Sequence, residues 1–253
     1  MSNDITFSEG FLFSGKDLFL DKNVIVKHPS IENILSITND ETSFDIYWNM
    51  VNTLMCDPYT HMVMLDDLGI DFTKISDIEF FSTMIHGISK DATDLIFDGT
   101  IDLSKFMLDK REDETILYDT GSDIIIDAEI LKKISRCLCI IHGIKKERFT
   151  PAGRMAKQMM ILADRDEKKI KTNQDKKSSS FLSIISSAIN CPGYKYNREQ
   201  TLGLNMYFFI DCIERIKLNY AVDGLTIGWY TGSLDPKKFN PDERLNRMGD
   251  LHK

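Results

Sequence analysis

Apolar residues recur along this chain with two periods. Over Ile31, Ile34, Leu35 and Ile37, and again over Phe44, Tyr47, Trp48, Val51, Leu54 and Met55, they fall three and four apart, the spacing of one helical face. Thr38-Asn39-Asp40 breaks the first run, and His28-Pro29-Ser30, followed by Glu32, supplies its entry. Pro58 ends the second run and opens a helix over "PYTHMVMLDDLG", with Gly69 as its C-cap. Ser76 and Glu79 stand three apart, which predicts a capping box at the start of "SDIEFFSTMIHGI". Beyond Asp127 the pattern predicts helices at 128–142, 152–171, 179–190 and 200–219. The last rests on the stripe Leu202, Met206, Phe209, Ile213 and Ile216. Between the middle two, "IKTNQDKKSSS" is polar and predicts a mobile linker.

The shorter period appears twice. Residues 94–126 hold "TDLIF", "SKFMLDK", "ETILYDT" and "SDIIID", β-rich runs separated by charged or glycine-containing turns. Phe106–Asp109 and Thr115–Tyr118 around "REDE" predict a hairpin. Near the N-terminus, "EGFLFSGKDLFLDKNVIVKHP" predicts a second one, with strand 11–13, a Ser14-Gly15-Lys16-Asp17 turn and strand 18–20. The same stretch nearly spells the phosphate loop G-x-x-x-x-G-K-[ST]. Asp17 stands where that loop needs a magnesium-binding hydroxyl, and no helical period follows, so the hairpin is the better reading.

These elements describe an α+β chain, mainly helical, with an N-terminal β-segment or hairpin and a small central antiparallel β-meander. Two halves are expected, an acidic α+β part over 1–126 and a helical part over 127–253, either as separate domains or as one continuous domain. The 253 residues are 42% hydrophobic and 10% aromatic, enough for one large or two modest cores. No run approaches the eighteen apolar residues of a membrane span, and the first ten residues lack the basic and apolar regions of a secretory signal. Five scattered cysteines, Cys56, Cys137, Cys139, Cys191 and Cys212, sit among apolar neighbours, as reduced buried thiols do, and point to a cytoplasmic origin.

The net charge of −8 hides an uneven distribution. Residues 1–131 carry 26 acidic and 8 basic groups, residues 132–177 carry 14 basic and 5 acidic, and the remainder is nearly neutral. Such a split invites a charged partner, or the docking of one part of the chain on another.

Candidate chemistry is sparse. Asp66, Asp67 and Asp71 invite a divalent cation, yet Asp66 and Asp67 diverge by about 100° on a helix and no calcium-loop pattern is present. Metal-dependent phosphoryl transfer on these residues is accordingly the weakest of the readings. Cys137, Cys139 and His142 resemble zinc ligands only briefly, since residues two apart on a helix diverge by about 200°. His28, His61, His86 and His252 are isolated, with no nucleophile signature beside them. No cofactor is implied. The basic segment 132–177 suits a phosphate backbone in charge, but Phe149 is its only aromatic residue and no nucleic-acid motif accompanies it. A protein-facing basic surface is the first reading, and a nucleic-acid-binding protein the alternative.

"LDDLGIDFTKISDIEFF", "INCPGYKYN" and "SLDPKKFNPDERLNRMG", in that order, resemble a loosely defined family encoded among the tail and virion genes of phages of low-GC Gram-positive bacteria. The resemblance runs from about residue 20 to the C-terminus and ends in Arg247-Met248-Gly249. It implies a non-enzymatic role in building the virion, as a tail or baseplate component or an assembly factor in the host cytoplasm. It assigns no catalytic residue. Its partners would be other phage structural proteins or further copies of the chain. On the charge pattern, Lys168, Lys169, Lys171, Lys176 and Lys177 are the expected contact residues.

Overall fold

The structure, a computed structural model, describes residues 9–21, 23–38, 42–111, 114–119, 121, 124–146, 148–175 and 181–233. Short helix α1 (Glu9–Phe13) leads into strands β1 (Leu18–Asp21) and β2 (Val24–Val26). Helices α2 (Ile31–Leu35), α3 (Ser43–Leu54), α4 (Met62–Asp67), α5 (Asp77–Met84) and α6 (Lys90–Phe97) follow. Strands β3 (Phe106–Lys110), β4 (Thr115–Asp119) and β5 (Ile125–Ile126) form an antiparallel meander. The rest is helical: α7 (Ala128–Ile141), α8 (Arg154–Asp175), α9 (Phe181–Ile189), α10 (Arg198–Leu202) and α11 (Met206–Tyr230). The chain is thus α+β and mainly helical, as its patterning predicts. The hairpin around "REDE" pairs Phe106 with Asp119 through Lys110 with Thr115. The capping box closes as expected, with the Ser76 hydroxyl accepting from the Glu79 amide.

The two sheets stay separate, yet one hydrophobic cluster takes residues from both. Leu18, Val24 and Val26 of the first hairpin, Phe106, Leu117 and Ile126 of the meander, and Leu131, Ile134 and Leu138 of α7 share it. It therefore spans both sides of the expected boundary at 126/127. A second, smaller cluster of Leu65, Phe72, Phe80 and Ile161 lies between α4, α5 and α8. Consecutive α5 residues serve the two, with Phe81 in the large cluster and Phe80 in the small one. No described helix is long and apolar enough to cross a membrane.

Four expectations need correction. Residues 11–13 are helical, not a strand, and the first hairpin is β1–β2. An apolar triplet fits either state by pattern alone. Here Gly15 at φ +64 and the bond from the Ser14 amide to the Gly10 carbonyl close a helical turn that buries Leu12. Helix precedes Gly15-Lys16 and strand follows, the reverse of a phosphate loop. "TDLIF" belongs to α6, whose Ala92, Thr93, Ile96 and Phe97 are buried one turn apart and whose exit runs through left-handed Asp98 and Gly99. The predicted helix 200–219 is broken after Leu202 and resumes as far as Tyr230. The break lets the Leu204 carbonyl accept from the Ile31 amide at 2.9 Å, and Asn205 caps α11 through the Phe208 amide at 2.8 Å. The polar stretch 170–180 is helical as far as Asp175, and its remainder lies outside the described residues.

Candidate interaction site along the basic middle of the chain

Buried apolar residues fix α7 against the core, and the segment after it turns back over the end of α3. There Cys56 takes the left-handed conformation at φ +51, uncommon for a residue with a Cβ, and closes the helix by donating its amide to the Thr53 carbonyl at 3.0 Å. Two cations seal this end. The Lys146 ammonium donates to the Met55 carbonyl and, at 2.5 Å, to the Ser135 hydroxyl, which itself donates to the Met55 carbonyl. Arg148 donates to the Cys56 carbonyl at 3.2 Å, to buried Asp57 at 3.0 Å and to both oxygens of Asp77 at 3.0 and 3.2 Å. Positive groups at the carbonyl end of a helix are where the backbone dipole favours them.

Helix α8 continues the pattern. Lys157 pairs with Asp71 and lies over the Phe72 ring, Arg165 pairs with Asp67 at 2.6 Å and Asp66 at 3.6 Å, and Lys168 donates to the Thr60 carbonyl at 3.1 Å. Hydrogen bonds from Lys157 and Thr73 hold the Asp71 carboxyl well below the usual carboxylate range. The carboxylates with an aspect of a metal site are therefore bound to cations of their own chain, and no group of three or more metal-ligating side chains exists among the described residues. Of the two possibilities that the charge split raised, the docking of one part of the chain on another is thus seen directly.

Ion pairs this exposed are individually weak. Burying Ile161, worth about 1.5–3 kcal/mol, is the larger single contribution to docking α8, and the charges set its register. Lys157, Ile161, Arg165 and Lys168 fall within about 80° of one another around the axis. Met155, Met159, Leu162 and Ile170 occupy an arc of similar width, roughly 140° away. These four are 73%, 66%, 59% and 57% exposed. The i, i+4, i+7 spacing of Met155, Met159 and Leu162 is visible in the sequence, but only the docked face shows that this stripe points outward.

Three of the five expected contact lysines, Lys168, Lys169 and Lys171, lie along the end of α8. Lys168 bonds Asp164 at 2.7 Å besides Thr60, and Lys169 lies 3.5 Å from Asp166. Lys171 lies in the last turns of the helix, and Lys176 and Lys177 fall outside the described residues. Beside them a groove of about 530 Å³ runs between α3 and α8, edged by Trp48, Tyr59 and Phe149 and by Lys145 and Lys146. Phe149 is 67% exposed.

The three residues that resemble zinc ligands, Cys137, Cys139 and His142, are packed in the interior. Cys137 and Cys139 are buried, reduced and held protonated by burial. The Nδ1 of His142 donates to the Leu138 carbonyl at 2.7 Å, so its Nε2 accepts from Tyr47 at 2.8 Å, and burial pushes its pKa down to about 4. No family model matches the chain, and neither a curated protein nor a solved structure is similar to it at a significant level.

Proposed function

We propose that this chain is a non-enzymatic protein of bacteriophage tail morphogenesis, a tail or baseplate component or an assembly factor, that acts by binding other structural proteins. The observation that carries the reading is the two-sided character of α8. Its inward face is held on the acidic front by Lys157, Ile161 and Arg165, while Met155, Met159 and Leu162 stand in solvent on the other side. Apolar residues at this spacing suit an amphipathic helix of a partner, laid along α8. The resemblance of three segments to phage tail-region proteins supplies the biological setting.

The charge that the sequence concentrates in 132–177 then works mainly at home. Arg148, Lys157, Arg165 and Lys168 are engaged by the front of the same chain, which leaves a phosphate backbone fewer cations than the sequence count suggests. The reading is tested by co-expressing the chain with the structural proteins of the virion that encodes it. A stable complex is expected on size-exclusion chromatography, lost in a Met155→Asp/Met159→Asp/Leu162→Asp variant. Absence of any complex, or a salt-dependent mobility shift with DNA or RNA at comparable protein concentration, overturns it.

A further inference from the structure

The groove of about 530 Å³ between α3 and α8 has the size of a ligand site. It touches α8 through Met160 and Asp164, at least about 100° around the axis from Met155, Met159 and Leu162. Two of its rings are already fixed in place. Trp48 stacks on Phe44 with centroids 6.0 Å apart and meets His142 edge-on at 5.7 Å. Tyr59 meets Phe72 edge-on at 5.1 Å, under the Arg148 guanidinium. The third ring, Phe149, is largely exposed and meets no other ring among the described residues. Met62, Ile144 and Met160 complete the apolar lining.

The polar groups of the groove are one-sided. Its carboxylates are engaged: Asp57 by Arg148 at 3.0 Å and by the Tyr59 amide at 3.3 Å, and Asp164 by Lys168 at 2.7 Å. Several of its donors are not. The Trp48 indole N–H, the Asn52 side-chain amide and the Lys145 ammonium form no hydrogen bond or ion pair among the described residues. A suitable occupant therefore brings acceptors, few donors of its own, flat apolar faces and a negative charge. Ordinary peptide and the nucleobases bring N–H groups, for which the lining keeps little beyond the Asn52 oxygen. Proline brings none, and a polyproline II segment holds its carbonyls free of internal hydrogen bonds.

We propose that this groove binds a proline-rich segment of a protein partner in the polyproline II conformation, with an acidic residue at one end. Its proline rings lie against Trp48, Tyr59 and Phe149, its carbonyls accept from the Trp48 indole and the Asn52 amide, and its carboxylate meets Lys145. The site shares no residue with the exposed stripe of α8, so its failure and the failure of the tail-assembly reading are distinguishable.

An acetylated peptide of about eight prolines followed by two glutamates, titrated into the full chain and followed by NMR, tests the assignment. The chain has two tryptophans, Trp48 and Trp229, whose indole N–H signals are told apart with Trp48→Phe. The Trp48 signal is expected to shift saturably while that of Trp229 stays in place. Asn52→Ala and Phe149→Ala remove no side-chain hydrogen bond or ring contact of the described fold. Each should weaken binding about fivefold, as for one lost hydrogen bond or one lost aromatic contact. Lys145→Glu should weaken it too, and should favour a peptide of the same prolines ending in two lysines. The Met155→Asp/Met159→Asp/Leu162→Asp variant should bind the peptide unchanged. A Trp48 signal that does not move, wild-type affinity in either Asn52→Ala or Phe149→Ala, or loss of binding in the stripe variant overturns the site. A glycine–serine peptide with the same glutamates binding as tightly overturns the polyproline conformation. An oligothymidylate shifting the Trp48 signal as strongly overturns the protein partner in favour of single-stranded nucleic acid, and an unchanged charge preference in Lys145→Glu overturns the acidic end.

Discussion

Helices α7 and α8 follow one another in the chain and are both rich in lysine and arginine, yet they are held in opposite ways. Seven of the 14 residues of α7 are buried, among them Leu131, Ile134, Leu138 and Ile141, and its charged residues stand on the remaining face. In the 22-residue α8, Ile161 is the one buried residue among the described side chains, and a row of ion pairs to α4 and its neighbours accompanies it. A helix anchored by half of its residues belongs to the core. A helix anchored by one apolar residue and several weak pairs is attached to the body and keeps most of its surface for something else.

The largest expected difference lies in the core. Leu138→Ala, at a fully buried position of α7, is predicted to lower the unfolding free energy by about 2–5 kcal/mol in denaturant titrations, through lost transfer energy and the cavity left behind. The whole molecule should lose stability together. Ile161→Ala should instead loosen α8 locally, with faster amide exchange over 157–168 and a smaller change in global stability.

Acid is the next probe. The neutral His142 imidazole titrates near 6.5 when unfolded and is pushed by burial to about 4 in the folded protein. The unfolded chain therefore binds the proton first as the pH falls. The stability contributed by the neutral ring is complete above about pH 6.5 and is lost between there and pH 4, a total of about 3 kcal/mol. Burial lowers the pKa of His28 as well, in the same sense. Urea midpoints at pH 7 and pH 4 measure the loss, and His142→Gln should flatten it. Across this window Asp71 stays ionised, because Lys157 and Thr73 hold its pKa low, so the pairing of α8 should outlast the weakening of the core.

Salt separates the two helices more gently. Raising it to about 1 M shortens the screening length to about 3 Å and should speed amide exchange in α8 while leaving α7 unchanged. Arg165→Ala should reproduce that effect at low salt. The smallest effect is expected on the outer stripe: Met159→Ser and Leu162→Ser should each change stability by no more than about 0.5 kcal/mol, since neither side chain is packed.

Much of this architecture is legible in the sequence because it repeats a local rule. Ser76 with Glu79, the two strands around "REDE" and the long helical stripes each satisfy one period or one cap. What stayed hidden depends on partners distant in sequence. Nothing local says that the Leu204 carbonyl must meet the Ile31 amide, which is what breaks the last predicted helix. Phe11-Leu12-Phe13 is too short for its period to separate helix from strand. The site was legible only as a charge count. That the basic residues answer Asp57, Asp66, Asp67, Asp71 and Asp77 of the same chain, and that Cys56 turns left-handed beneath Lys146 and Arg148, follows from contacts roughly 70 to 100 residues apart.

The central claim, that α8 shows its anchored face to its own chain and its free face to a structural protein, is tested most directly by photo-crosslinking during virion assembly. A photoreactive residue at 159 is predicted to yield an adduct with a structural protein of the virion, while the same residue at 161 yields only links within the chain. No adduct from 159, an adduct with nucleic acid, or the same adduct from both positions would contradict the account.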